Sequence, residues 1–182
     1  MFRGLMQIAW IASFILVFSG CFGKMSQIQY YEIEALNGVK LESKKDSKPR
    51  TLVWEISVAS KIASKKIAYK NNANSIAYFS KNSWIEPFSV MVNSLALKIA
   101  GNYGILNSQV SQDSKEHIKI NVLDCYFDTQ RESVFIRFFI ESSKGSVFIE
   151  KVELVESGGF IQIIKGFERA LNAGFAEIFT KF

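Results

Sequence analysis

SVFIRFFIE, residues 133–141, is the stretch on which the fold turns. Val134, Ile136, Phe138 and Ile140 make an unbroken apolar face at a period of two, while Phe135 and Phe139 flank Arg137 on the other. Such alternation marks a strand with one face in a core. Ser143-Lys144-Gly145 then makes a turn, and Ser146–Val155 returns as a second strand. Upstream, His117–Asp128 is a third long run. Ile118, Ile120 and Val122 hold one parity there and Leu123, Cys125 and Phe127 the other, which predicts a bulge near Val122 or a strand covered on both faces. Three such runs joined by short turns make an antiparallel meander.

Two helical patterns accompany it. Trp84, Phe88, Met91, Val92, Leu95 and Ile99 recur at spacings of three and four, with an S-x-x-E capping pattern at Ser83–Glu86, Pro87 in the first turn and a stop at Gly101. After the break Glu156-Ser157-Gly158-Gly159, a second stripe (Ile163, Ile164, Phe167, Ala170, Leu171, Phe175, Ile178) runs almost to Phe182. Gly166 and Gly174 inside it cost roughly 1 kcal/mol each in helix propensity against alanine and allow close approach to a sheet.

The first half of the chain adds shorter strands. Gln27–Leu36 alternates Tyr31, Ile33 and Ala35 against Tyr30, Glu32 and Glu34; Thr51–Ala59 is a second strand with Trp54 packed; Lys66–Tyr69 and Ser75–Phe79 flank an asparagine-rich hairpin turn. Asn37–Arg50 reads as a surface loop, and Tyr103–Glu116 as a loop with a short edge strand around Ile105. The expected fold is α+β, a two-layer sandwich of a largely antiparallel sheet with amphipathic helices at about 84–101 and 160–180. If both helices share one sheet face the other stays open, and Phe135 and Phe139 then form a contact for a partner or for lipid. Cover from the N-terminal strands is the competing reading.

Ahead of the domain stands LMQIAWIASFILVFSGC, residues 5–21, a charge-free apolar run behind Arg3 that ends in Phe18-Ser19-Gly20-Cys21. Basic head, apolar core and small residues are the layout of a cleaved bacterial export signal. The small residues stop at a cysteine, so the pattern resembles a lipoprotein lipobox with Phe18, Ser19 and Gly20 as signal peptidase recognition residues and Cys21 as the lipid attachment site. There the thiol takes a diacylglyceryl thioether, and cleavage frees the amine for a further acyl chain, palmitate being the expected kind. The alternative is a membrane-spanning signal anchor over Gly4–Gly23, since about 20 apolar residues suffice to span. The domain organisation expected is a signal peptide at 1–20, a lipidated tether at 21–27 and a single domain at 28–182.

Removing residues 1–20 leaves 162 residues with 21 bases and 17 acids, a net charge of +4. Residues 40–81 carry ten bases against three acids, whereas 131–182 are balanced at seven each. A solvated face accounts for such a run, as does contact with a lipid headgroup or an acidic partner. An exported chain does not meet nucleic acid, so none is expected. With Cys21 acylated, Cys125 has no disulfide partner and reads as a buried small hydrophobe.

Catalytic patterns are missing. One histidine, His117, and one further cysteine supply no zinc ligand set and no nucleophile–base pair; there is neither G-x-G-x-x-G nor a P-loop. Glu150 and Glu153 fall on opposite faces of a strand. A non-enzymatic binding or assembly component, with no cofactor beyond the covalent lipid at Cys21, is expected.

Laid end to end, these features resemble the ABC-type transport auxiliary lipoprotein family, lipoproteins that accompany MCE-domain lipid transporters. Tyr30-Tyr31-Glu32-Ile33 is similar to the family's early tyrosine-containing strand, Ile67-Ala68-Tyr69 and Ser75-Ile76-Ala77-Tyr78 to its hairpin, and Ser83-Trp84-Ile85-Glu86-Pro87-Phe88 to its aromatic-acid-proline helix start. The resemblance spans the mature chain and the terminal helix from Phe160. A proline common between the second strand and the hairpin is absent from Ala59–Lys66, and Phe18 stands where the lipobox prefers leucine. The resemblance implies a lipid-anchored partner of an MCE-domain protein, a permease and an ATPase that move phospholipid across the envelope, ATP being hydrolysed elsewhere. Phe22 stands where an inner-membrane retention signal would place aspartate, which favours the outer membrane. The rival is a lipoprotein chaperone or pilotin assisting assembly of an outer-membrane complex. An envelope hydrolase is a third reading, and homo-oligomerisation stays open.

Overall fold

Alternation becomes strand and the three-four spacing becomes helix in the computed structural model, which describes residues 27–36, 50–107 and 116–182. The lipobox residues Phe18, Ser19, Gly20 and Cys21, the tether up to residue 26 and the loop over 37–49 lie outside the described residues. In chain order the elements are β1 (Gln29–Tyr31), β2 (Arg50–Val58), β3 (Lys66–Asn72), β4 (Ser75–Trp84), α1 (Phe88–Asn102), β5 (Ile105–Asn107), β6 (His117–Asp128), β7 (Ser133–Ser142), β8 (Gly145–Leu154) and α2 (Phe160–Lys181). The eight strands form one sheet.

The meander β6–β7–β8 is its backbone, with the two longest ladders, both antiparallel. The β6–β7 register slips between Val122 and Asp124, which leaves Leu123 as the bulge residue. Val122 and Cys125 therefore face the same side, opposite Phe138 and Ile136. One extra residue reconciles the two parities of the sequence. The other edge of β6 is shared: β2 runs parallel along its first half and β3 parallel along its last residues, with Ala59–Lys65 looping between. β5 extends the sheet beyond β2, and β4 then β1 extend it beyond β3. Only the β3–β4 hairpin adds a further antiparallel pair, so the sheet is mixed outside the meander.

Both helices lie on one face. Phe138, Phe167, Phe175 and Phe179 are fully buried between the layers, and Trp54 packs 5.1 Å from Phe179. Gly174 sits over the Phe138 ring so closely that a Cβ there would be 2.4 Å from Cε2, and Gly166 sits over Val134.

Several boundaries differ from the expectation: the hairpin strands run on past Tyr69 to Asn72 and past Phe79 to Trp84. The first helix starts at Phe88, not near Trp84, and Pro87 at its N-cap supplies no side-chain cap. A residue before proline is pushed out of the helical region. The Trp84 amide donates to Lys65 O at 2.8 Å and the Ser83 hydroxyl to the same oxygen, so the S-x-x-E pattern is the end of β4 and no capping box. Trp84 still anchors the corner, stacked at 5.9 Å on Phe88 and edge-on at 5.5 Å to Phe167.

The first strand is likewise shorter than Gln27–Leu36. After Tyr31 the chain leaves the sheet and crosses α2, where Asn172 accepts from the Leu36 amide and donates to Glu34 O, both at 2.9 Å. Ile33 is buried as its parity requires, but against a helix, where no ladder forms.

Candidate functional site

The face of the meander opposite the helices is the candidate site. Alternation puts Phe135, Arg137 and Phe139 of β7 there, and the register sets Val152, Glu150 and Phe148 of β8 directly beside them. Phe139 and Phe148 rings pair at 4.9 Å, and Phe135 pairs with Tyr126 of β6 at 5.3 Å. Phe148 is 59% exposed, Val152 57% and Leu154 73%, so this corner presents apolar surface to solvent. Phe135 and Phe139 are half-buried by these neighbours and not by the N-terminal strands, since β1 pairs only with β4.

A row of alternating charge separates the two aromatic rows. Glu150 accepts from Arg137 Nε at 2.7 Å, Arg137 lies 3.6 Å from Asp124, and Asp124 accepts from Lys61 at 2.6 Å. Neighbouring charges neutralise one another along it, so the row presents little net charge to an incoming surface. The exposed Arg137–Glu150 pair contributes at most about 1 kcal/mol, whereas Asp124 is buried and its two cations offset the cost of removing its charge from water. Three cations rest over aromatic rings on this side: Arg137 over Phe135, Lys70 over Tyr126 and Lys66 over Tyr78. The chemistry available is apolar contact with fixed dipoles, suited to holding a surface.

Among the described residues, clefts also lie elsewhere. One of about 310 Å³ opens beside Leu36, Ile99, Tyr103 and Asn172, with the Arg169–Glu153 pair at its rim. The second, about 270 Å³ and polar, lies at the β3–β4 and β6–β7 turns and is lined by Lys70, Tyr126, Asp128 and Arg131. His117 is exposed at the start of β6, 3.8 Å from Glu55. Among the described residues no group of three or more His, Cys, Asp and Glu is placed to hold a metal ion.

Cys125 is 4% exposed on the helix side of β6. Burial, and secondarily the Asp124 carboxylate, hold its thiol well above the ordinary range, so it is no nucleophile. An unfolded thiol ionises near pH 8.5, whereas the folded one keeps its proton, so stability is intact below that pH and declines above it. Between pH 7.5 and 9.5 the wild type should lose about 1 kcal/mol more than Cys125→Ala, read as urea midpoints at each pH. Equal slopes for the two chains would contradict this.

Phe148, Val152, Tyr126 and the charge row were not singled out by sequence reasoning. The β8 partners were countable: once Ser142 is set opposite Gly145, the hairpin places 139 opposite 148 and 135 opposite 152. The Lys61–Asp124 contact joins a loop to a distant strand and carries no periodic signal.

No family model matches the chain, and no curated protein matches it. Its fold has counterparts among solved structures. The crystal structure of an uncharacterized protein superposes with a TM-score of 0.64 at 11% identity, covering 85% of this chain and 98% of that one. The crystal structure of protein XCC0632 from Xanthomonas campestris, of the family DUF330, superposes with a TM-score of 0.61 at 14% identity over 85% and 90% of the two chains. At these identities the likeness establishes the fold, a mixed sheet backed on one face by two helices.

Proposed function

We propose that this chain is a non-enzymatic, lipid-anchored auxiliary component of an ABC/MCE-type phospholipid transport system of the bacterial envelope, with the outer membrane as its site. The observation that carries the reading is the order of features along one chain: lipobox cysteine, short tether, tyrosine-containing strand, hairpin, and the aromatic-acid-proline corner at Trp84–Pro87. Seven residue-to-residue steps lead from Cys21 to Ile28, a reach of roughly 25 Å, so the domain works against its own bilayer and waits for partners to come to it. The open face of β6–β8 supports a docking role, since aromatic rows around a self-paired charge row bury against a protein without leaving a charge unpaired. Phospholipid itself is the cargo of the assembly, and ATP is consumed by its ATPase.

Affinity purification of the full chain from its own membranes in mild detergent tests this. Recovery of an MCE-domain protein together with a permease and an ATPase is expected. Recovery of an outer-membrane barrel or secretin in their place would instead identify an assembly chaperone or pilotin.

A further inference from the structure

The tether does more than hold the domain near a bilayer, because it joins at a definite corner. β1 lies beside Asn82–Trp84, the last residues of β4, and Lys66 at the start of β3 lies beside Ser83, so the tether enters the sheet at the end of β4 away from the β3–β4 hairpin and close to the start of α2. Tyr31 faces the helices, with its ring 5.2 Å from Phe160, so Tyr30 and Ile28 alternate to the helix-free side. Tyr30 is 55% exposed, Ile28 45% and Ile85, just past β4, 49%. Around them stand three exposed lysines. Lys66 lies opposite Ser83, which is itself the register partner of Tyr30; Lys65 donates to Ile85 O at 2.9 Å; Lys81 precedes Asn82, the partner of Gln29.

None of the ion pairs among the described residues uses these lysines, in contrast to Lys61, Lys98, Lys144 and Lys151. The carboxylates next along the chain are Glu32, which lies 3.9 Å from Lys98 on α1, and Glu86. We propose that this β1–β4–β3 corner lies on the bilayer, Tyr30, Ile28 and Ile85 entering the interface and Lys65, Lys66 and Lys81 holding anionic phospholipid headgroups. Exposed aromatic and aliphatic side chains ringed by lysines suit the headgroup region, where long basic stems reach outward while the apolar parts sink. The orientation rests on the Cys21 anchor, and it leaves the Phe139–Phe148 pair, on the same helix-free face but at the β8 edge far from β1, free for partners.

The acylated full chain in vesicles tests it. Cys21 is blocked and Cys125 buried, so a single introduced cysteine takes an environment-sensitive fluorophore: Tyr30→Cys and Ser80→Cys in the corner, Ile161→Cys at the same end on the helix side, Phe148→Cys on the far strand. Vesicles contain phosphatidylethanolamine and phosphatidylglycerol with a trace of headgroup-nitroxide lipid. Quenching several-fold stronger at 30 and 80 than at 161 and 148 is expected. Replacing the phosphatidylglycerol by phosphatidylcholine, or introducing K65E/K66E/K81E, should erase the difference while the chain still floats with the vesicles. Equal quenching at all four positions on a floating chain would overturn the orientation and leave the anchor standing. Protection of 30 and 80 from aqueous iodide without quenching by lipid would put a second copy on the corner and overturn it as well. A chain that fails to float has no anchor, and both readings fall.

Discussion

Cys21→Ser, placed behind a leader that ordinary signal peptidase cuts, moves the protein from an almost wholly sedimenting to an almost wholly soluble form. The native leader with the same substitution stays uncut and takes up no radiolabelled palmitate. The magnitude comes from the acyl chains. Each buried methylene contributes about 0.8 kcal/mol; one chain alone gives only marginal, reversible binding, and two give a stable anchor. The lysine corner by itself adds roughly 1 kcal/mol per base near an anionic leaflet, which does not replace the acyl chains. Fractionation and mass spectrometry of the mature amino terminus read the result. A free thiol on a cleaved wild-type chain, or a leader retained on it, would refute the anchor and with it the tether argument.

Gly174→Ala should destabilise the fold by about 1–3 kcal/mol even though alanine is the better helix former by about 1 kcal/mol. An added Cβ would lie 2.4 Å from Phe138 Cε2 and 2.8 Å from Cζ. The ring has nowhere to go, since Phe138 is fully buried and packed edge-on to Phe175 at 5.3 Å. α2 must lift from β7 to accept even one methyl group. Gly101→Ala is the control: nothing lies within 4 Å of its added Cβ, so only the propensity gain remains and stability should hold or rise. Urea midpoints of the two variants decide it. Phe138→Leu should restore part of the Gly174→Ala loss if the clash is its cause, because contacting residues couple. A Gly174→Ala chain as stable as the wild type would mean that the helix stands further from the sheet.

The corner at Ser83–Phe88 shows how a local motif is read and misread. S-x-x-E followed by proline and a helical stripe is a sound start signal, yet the hydrogen bonds that decide the matter run to the carbonyl of Lys65, in the loop ahead of β3. Trp84 keeps its packing role under either assignment because it is buried against both helices. The same distinction governs Phe135 and Phe139. Alternation put them on the face away from Phe138; whether that face was covered depended on where β1 paired.

By itself, the amino-acid order determined everything that repeats along the chain: the three meander strands, the parity switch near Val122 that the register resolves as a bulge at Leu123, both amphipathic stripes, the two-layer α+β class and the buried thiol of Cys125. These are set by which side chains recur on one face, a property of neighbours in sequence. Tertiary structure alone decided the parallel seating of β2 and β3 on one edge of β6, the crossing of residues 32–36 over α2, and the Lys61–Asp124–Arg137–Glu150 row. Each of these joins groups far apart in the chain, and their pairing is set by packing between elements, which no periodicity encodes.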